Sequence, residues 1–315
     1  GQVFSYCTTA TTMLCMIIHH VAGMEFMDVL RPIFDELGVS REAFCVETPC
    51  GHEWGGSGVC MTAREFLKFS SLCTAYGQWE GKRLLPEAYM REATSKQIDN
   101  SADHGTPDTE MGYGYQFWPM RNGGFAMHGM GGQFALCIPE KRLTLVTNAY
   151  DELGGKELIN VFDAFWREIY ARVSDGPLEA DGAGLDRLRA LAASLELPLP
   201  LGARHSPLEQ AIAGKTYRMA DNRLGLRSLR FEFGQCEGVL HYENARGAHA
   251  LRFGLGAYVR QPFPETHYSG RRIGVPAGRG YDSLTSAAWP MDNGLAIFCQ
   301  IVDIHLGNLR LSFGF

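Results

Sequence analysis

The sequence predicts an α+β protein in two parts, and three observations carry this prediction. Apolar residues recur at helical spacing through the first hundred positions, and the period then changes from about 3.6 to 2 residues. A stretch rich in Gly and Pro follows, and after it the chain consists of strand patterns only. With 315 residues, 45% of them hydrophobic, the chain is long and apolar enough for two folded domains.

Four helices are predicted in the first part. The first has Met13, Leu14, Ile17 and Ile18 on one face, is capped by Thr8 or Thr9, and ends at Gly23. The second covers residues 25–36 and contains Pro32, and a loop is expected over 38–61. Thr62 and Glu65 form a capping-box pattern that starts the third helix, and Pro86 opens the fourth.

An antiparallel meander is predicted next, because apolar and polar residues alternate between turn signals. Tight turns are expected at Asn122-Gly123-Gly124 and at Pro139 to Arg142. The predicted strands cover residues 113–118, 125–127, 133–138 and 143–147. An amphipathic helix over 155–173 closes this domain.

The remaining chain is divided into a linker and a β-rich domain. Residues 174–214 are interpreted as a linker with one helix over 185–195, so the predicted domains are 1–173 and 215–315. The second domain is predicted to be a small antiparallel β-barrel or sandwich. Its predicted strands cover 216–219, 228–233, 238–242, 250–253, 295–302 and 308–313.

Composition and charge narrow the classes of partner. A net charge of −6 gives no electrostatic reason to expect nucleic acid or an anionic membrane, and no apolar run is long enough to cross a bilayer. The nine cysteines have irregular spacing and are interpreted as reduced, which favours a cytoplasmic location, although a Cys45–Cys50 disulfide stays open. The histidines show no ligand spacing, so no metal and no cofactor is expected.

Two short motifs carry the chemistry of the sequence. Phe4-Ser5-Tyr6-Cys7-Thr8 stands directly before a predicted helix, and Met127-His128-Gly129-Met130-Gly131-Gly132-Gln133 lies in a strand–turn–strand pattern. With the segments 58–65, 81–87 and 112–118 in the same order, residues 1–173 resemble the β-lactamase-related serine hydrolases, which include class C β-lactamases and penicillin-binding proteins. The resemblance implies a β-lactamase/transpeptidase-like domain that lacks its N-terminal part, followed by an appended β-rich domain.

The resemblance assigns roles to residues near the first motif. Tyr6 takes the place of the tyrosine that relays a proton during acyl transfer, and neighbouring cations are needed to make a phenol a useful base near neutral pH. Thr8 stands where the family has Asn and would contact substrate. Gln116 and Trp118, on the predicted strand before the second motif, are candidates to line the pocket. Ordinary sheet packing is the alternative for both.

The second motif corresponds to the family's Lys-Thr-Gly or His-x-Gly strand. Aligned on Gly132, Gly129 is the motif glycine, the backbone N–H of Met130 donates to the oxyanion, and Met127 replaces the usual cation. A shift by one residue makes His128 the cation but places Met130 where the glycine belongs. A water-facing strand position is an equally good interpretation of His128.

The family's first motif, Ser-x-x-Lys, does not occur in the sequence. The resemblance therefore implies hydrolysis of a small amide or ester through an acyl-enzyme by a longer protein, with the nucleophile upstream, and an inactive chain as it stands. Whether the chain is an enzyme is open. The alternatives are a non-catalytic binding or structural protein on a decayed hydrolase fold, and a binding module for peptide or glycan in the second domain. An exposed sheet edge makes a homodimer an expectation.

Overall fold

The computed structural model shows a mixed α+β protein with two compact units. It describes residues 3–102, 106–149, 161–174, 176–266, 268–269, 272–276, 280–303 and 307–315. The first unit comprises Gly1–Leu178 with Arg271–Ile273, and the second comprises Glu179–Gly270 with Gly274–Phe315. The three-way division into 1–173, 174–214 and 215–315 remains a prediction.

Four helices form the first part of the first unit: α1 (Thr8–Ala22), α2 (Phe26–Glu36), α3 (Ala63–Thr74) and α4 (Glu87–Ala93). The predicted cap at Thr8 or Thr9 is wrong, because α1 begins after Cys7 and has no side-chain cap. The predicted end is confirmed: Gly23 has φ +66° and its N–H donates to the carbonyl of His19 at 2.8 Å.

The start of α3 follows the sequence prediction closely. The Thr62 hydroxyl accepts the N–H of Glu65 at 3.3 Å, and the Glu65 carboxylate accepts the N–H of Thr62 at 2.8 Å. The other oxygen of Glu65 accepts the N–H of Ser40 at 2.7 Å, so the cap also holds the preceding loop. Pro86 precedes α4 as predicted, and Pro32 lies inside α2.

The meander of the first unit is a four-stranded antiparallel sheet in the order β5-β6-β7-β8. These strands are β5 (Trp118–Pro119), β6 (Phe125–Gly129), β7 (Gln133–Ile138) and β8 (Leu143–Thr147). The prediction of a strand over 113–118 is wrong except at Trp118, because Gln116 has φ +67° and the backbone bends there. Four two-residue strands precede them: β1 (Phe44–Cys45), β2 (Val59–Cys60), β3 (Gln78–Trp79) and β4 (Lys82–Arg83).

Alternation along β7 divides the core between the two faces of this sheet. Phe134, Leu136 and Ile138 pack with Phe162 and Phe165 of the helical segment 161–172. Ala135 and Cys137 pack on the opposite face with residues of α3 and α4. The helical segment contains a π-helical stretch at Phe165–Ile169, and residues 155–160 of the predicted helix lie outside the described residues.

The second unit contains a curled, half-barrel sheet in which β18-β17-β16-β12-β11-β10-β9 are neighbours and β13 also pairs with β16. The prediction of a wholly antiparallel barrel is wrong in one respect, because β12 pairs with β16 in parallel. The strands of this sheet are β9 (Thr216–Arg218), β10 (Ser228–Phe233), β11 (Glu237–Asn244), β12 (Gly247–Leu255), β13 (Val259–Pro262), β16 (Asp282–Met291), β17 (Gly294–Ile301) and β18 (Asn308–Gly314). A separate two-stranded sheet consists of β14 (Tyr268–Ser269) and β15 (Arg272–Pro276).

The described residues of the second unit also form two helices, Gly182–Ser194 and Glu209–Ile212. The first matches the predicted linker helix within a few residues and has no buried residue. The core beneath the sheet contains Phe231, Leu251, Phe253 and Leu295, all at most 1% exposed. The sequence prediction missed β13 and β16, because buried Ser283, Thr285 and Ser286 leave β16 without a run of large apolar residues.

All nine cysteines are free, so the alternative of a Cys45–Cys50 disulfide is not realised. Among the described helices, none alone is long and apolar enough to cross a membrane. Taken together, α1 and α2 have enough length and apolar content for a membrane span, but the two helices are bent by 88° relative to each other.

Candidate functional site

The structure brings Tyr6, Trp118 and His128 together in the first unit. The indole of Trp118 lies between the other two rings, with its centroid 5.7 Å from the Tyr6 ring and 5.6 Å from the His128 ring. Phe4 and Tyr113 complete this group, and their ring centroids are 4.9 Å apart. These five residues are called the aromatic cluster below. Tyr6 of the first motif and His128 of the second, more than a hundred positions apart in the sequence, therefore both lie beside the Trp118 indole.

Sheet register explains why Trp118 and His128 share a face. Trp118 pairs with Ala126 across β5 and β6, and His128 follows Ala126 by two residues, so its side chain points to the same face. Phe134 is the direct partner of His128 on β7, and their ring centroids are 5.0 Å apart. His128 is therefore held between two large rings.

Gln116 connects the cluster to α1. Its side-chain oxygen accepts the Thr11 hydroxyl at 3.0 Å and the Tyr113 hydroxyl at 3.4 Å. Its backbone has φ +67°, which costs on the order of 1 kcal/mol for a residue other than Gly. The surrounding contacts therefore maintain a strained backbone beside Trp118, and such strain is common where a side chain must be held for binding.

Burial determines the charge of His128. Burial lowers the pKa of the His128 imidazole to about 4, so the ring is neutral at pH 7. A neutral ring does not supply the positive charge that the family's Lys or His supplies. The alignment that makes His128 the motif cation therefore receives no electrostatic support, whereas a role in packing or hydrogen bonding stays compatible with the structure.

The tip of the β6–β7 hairpin carries Gly129 and Met130. Gly129 pairs with Gln133, and a Cβ at Gly129 would lie only 3.0 Å from the Cβ of Gln133. The Met130 side chain is 77% exposed. Gly132 has φ +96°, and its carbonyl accepts the Thr147 hydroxyl at 2.8 Å, which fixes the turn against β8. The hairpin tip is thus a rigid, solvent-facing edge next to His128.

Thr8 is the first residue of α1. The Thr12 hydroxyl donates to its carbonyl at 3.3 Å, and a Cβ built on Gly56 would lie 2.8 Å from the Thr8 methyl group. The described contacts of Thr8 are therefore with its own helix and the Gly-rich loop 54–58. None of them joins Thr8 to the aromatic cluster, so its substrate contact stays a prediction.

The described residues of the cluster supply surfaces for ligand binding, and none of them places a cation beside Tyr6. The described contacts of Tyr6 are with aromatic rings, and among the described residues no hydrogen bond or cation–π contact from Lys or Arg reaches its phenol. Burial and the neighbouring Tyr6 raise the pKa of Tyr113 well above its ordinary value. Aromatic faces, the Gln116 amide and a neutral imidazole suit an uncharged ligand with an apolar part.

A second group with ligand-type side chains lies elsewhere in the first unit. Atoms of His19, Glu25 and His52 that could each bind a metal lie within 4.8 Å of one another. This group could not be predicted from the sequence, because the residues are 6 and 27 positions apart and lie on three separate segments. In the second unit, a small cleft is lined by Pro200, Ala203 and Arg204 beside β16.

No protein-family model and no curated protein matches the chain. A solved structure from Bacillus anthracis, which carries the provisional name 6-aminohexanoate-dimer hydrolase, is 24% identical to it with a TM-score of 0.48. The match covers 56% of this chain and 46% of that one, so the chain spans less than half the length of this neighbour. At this identity and TM-score the match by itself assigns neither a fold nor an activity to the chain.

Proposed function

We propose that the first unit belongs to a β-lactamase-related serine hydrolase and that the aromatic cluster is its site for a small amide or ester. The observation that supports this most is the position of Trp118, whose ring contacts both Tyr6 and His128. The family reaction needs a tyrosine and a glycine-containing strand edge on one substrate, and Tyr6 and His128, the neighbour of Gly129, both lie beside the Trp118 indole.

The proposed reaction class is acyl transfer through an acyl-enzyme, with the nucleophile outside this sequence. A serine would attack the carbonyl, Tyr6 would relay the proton, and the N–H of Met130 would donate to the oxyanion. Gly129 would allow the substrate to lie along the strand edge, and Gln116 and Trp118 would line the pocket. No metal or cofactor takes part in this proposal, and a homodimer stays a prediction that light scattering would check.

Ligand binding to the 315-residue chain tests the site without requiring turnover. N-Cyclohexylacetamide, a small amide without an aromatic ring, should change the tryptophan fluorescence in a saturable manner. Trp118→Phe should remove most of this change, and Tyr6→Ala should weaken binding about fivefold, because the lost apolar contact with the phenol ring is worth about 1 kcal/mol. Trp79→Phe is the matched control, since Trp79 packs in a different core of the same unit. Binding that is lost in the control and kept in Trp118→Phe would refute the proposed site.

Covalent labelling tests the assignment of the nucleophile. A fluorescent fluorophosphonate or penicillin should leave the chain unlabelled, because no Ser has Lys three positions after it. Removing the nucleophile of a serine hydrolase leaves only a small residual rate over water. Stoichiometric labelling of a Ser in this chain would overturn the proposal that the nucleophile lies outside it.

A non-catalytic binding protein on the same fold is the second candidate. Met127 at the position of the motif cation and the neutral His128 favour it, because neither supplies positive charge to the site. The two candidates differ in one outcome. Supplying a longer natural sequence that contains Ser-x-x-Lys should restore ester hydrolysis if the first candidate is right, and binding without hydrolysis would support the second.

A further inference from the structure

A compact group of two imidazoles and one carboxylate lies where α1, α2 and the loop after β1 meet. Nδ1 of His52 is 2.9 Å from Oε1 of Glu25, and Nδ1 of His19 is 3.0 Å from the same oxygen. The two imidazole rings have centroids 4.5 Å apart. These three residues are called the His–Glu–His group.

The backbone holds each of the three residues in place. The carbonyl of His19 accepts the N–H of Gly23, whose left-handed conformation turns the chain so that Glu25 returns toward His19. Glu25 is the N-cap residue of α2. The carbonyl of His52 accepts both the N–H of Thr48 at 2.7 Å and its hydroxyl at 3.0 Å. The group is therefore organised by local structure before any ligand arrives.

Hydrogen bonding within the group is incomplete. Nδ1 of His19 is buried and has no hydrogen-bond partner, although the Glu25 oxygen is 3.0 Å away, because the direction is wrong for an N–H donor. The second oxygen of Glu25 accepts the N–H of Glu53 at 3.1 Å, which orients the carboxylate. A buried nitrogen without a hydrogen bond, 3.0 Å from an oriented carboxylate oxygen, is unusual in a folded protein and suggests a third species that both atoms could bind.

We propose that His19, Glu25 and His52 bind a divalent transition-metal ion of the zinc class. Two ligand atoms at about 2.0–2.2 Å from one tetrahedral zinc ion are about 3.3–3.6 Å apart, so each nitrogen needs to move only a few tenths of an ångström from Oε1 of Glu25 to share an ion with it. Two nitrogen ligands among three favour zinc, copper or nickel over magnesium and calcium, which prefer oxygen. The ion would connect the end of α1 to the start of α2 and to the loop at His52, so its binding should stabilise the first unit.

Metal binding to the purified, chelator-treated 315-residue chain tests this proposal. Zn²⁺ should bind with one-to-one stoichiometry in competition with a chromophoric chelator and should raise the melting temperature. His19→Gln and His52→Gln should each lower the affinity at least about 100-fold, since loss of an outer-shell partner alone costs up to that much. His20→Gln is the matched control, because His20 is the exposed neighbour of His19 on α1 and should leave the affinity unchanged.

Cysteine is the competing ligand, because Cys50 is exposed and lies two residues before His52. Cys50→Ser should leave the affinity unchanged, and X-ray absorption of the zinc-loaded wild-type chain should show nitrogen and oxygen neighbours without sulfur. This spectrum needs no variant, so it decides the ligand type even if His19→Gln fails to fold. The proposal is overturned if no saturable site is found, if sulfur is a ligand, or if folded histidine variants, checked by circular dichroism, bind as tightly as His20→Gln.

Discussion

His128 links the chemistry of the candidate site to the stability of the sheet. Its folded-state pKa of about 4 lies below the ordinary value of 6.5, because burial between Trp118 and Phe134 disfavours the charged ring. The unfolded chain therefore binds a proton more readily than the folded chain between these two pH values. The contribution of His128 to the free energy of unfolding is therefore full above pH 6.5 and is lost as the pH falls toward 4.

Replacing His128 should therefore flatten the pH dependence of unfolding. In the wild type, His128 should lower the free energy of unfolding by up to about 3 kcal/mol between pH 7 and pH 4, since one pKa unit corresponds to about 1.4 kcal/mol. His128→Gln should not show this decrease. Urea denaturation of the first unit at several pH values measures this change. His20→Gln, at an exposed position, should keep the wild-type slope. An unchanged slope in His128→Gln would mean that the imidazole is solvated and titrates normally.

Asp108 is a second residue on which the first unit depends. Its carboxylate is 4% exposed, receives two hydrogen bonds from Arg121 at 2.7 and 2.6 Å, and also accepts the Trp166 indole N–H. The Arg121 guanidinium lies over the Trp166 ring at 4.9 Å. The Asp108 carboxylate thus connects the loop before the sheet to the turn between β5 and β6 and to the helical segment 161–172.

Asp108→Asn should destabilise the first unit by about 2–4 kcal/mol, because it leaves a guanidinium without its buried partner. Chemical denaturation monitored by circular dichroism measures the change. Asp99→Asn is the control, since Asp99 pairs with Lys96 at the surface and should change stability little. Equal effects of the two substitutions would show that the Asp108 network contributes no more than a surface ion pair.

Among the helices, α3 depends on its cap in a way that can be measured. Thr62→Ala removes the hydroxyl that accepts the Glu65 N–H, and should cost about 1 kcal/mol of the first unit's unfolding free energy. Thr62→Ser retains the hydroxyl and should stay within a few tenths of a kcal/mol of wild type. Thermal and urea unfolding of the two variants give the comparison. A Ser variant as unstable as the Ala variant would indicate that the methyl group, and not the hydroxyl, stabilises this helix.

Local signals allowed most of the first unit's elements to be predicted from the sequence. The Thr62–Glu65 box, Gly23 and the alternation of residues 133–138 act over a few positions, and the structure confirms each of them. The strand Asp282–Met291 was missed because its buried positions include Ser283, Thr285 and Ser286 in place of large apolar residues, and its parallel pairing with β12 depends on distant residues. The His–Glu–His group was missed for the same reason, since only the turn at Gly23 and the loop at His52 bring its members together.

At the scale of the whole chain, the boundary between the units should be its most protease-sensitive part. The helix Gly182–Ser194 has no buried residue, and helices of this length are marginal without tertiary packing. The side chains of Arg187 and Arg189 are 74% and 70% exposed. Trypsin should cut there first, and mass spectrometry of the early fragments identifies the site. Replacing both residues with Gln should slow this cleavage, and first cuts within 216–255 would contradict the expectation.

The proposed function requires Tyr6 and the strand edge at His128 and Gly129 to line one ligand site. Nuclear magnetic resonance tests it most directly, by titrating the isotope-labelled chain with N-cyclohexylacetamide and following the Tyr6 ring, the Trp118 indole, the His128 ring and the Gly129 amide. If the site is shared, these four signals should shift together along one saturation curve, while the indole of Trp79 stays unchanged. Shifts of the Tyr6 and His128 signals with different affinities, or a response at only one of them, would contradict a shared site.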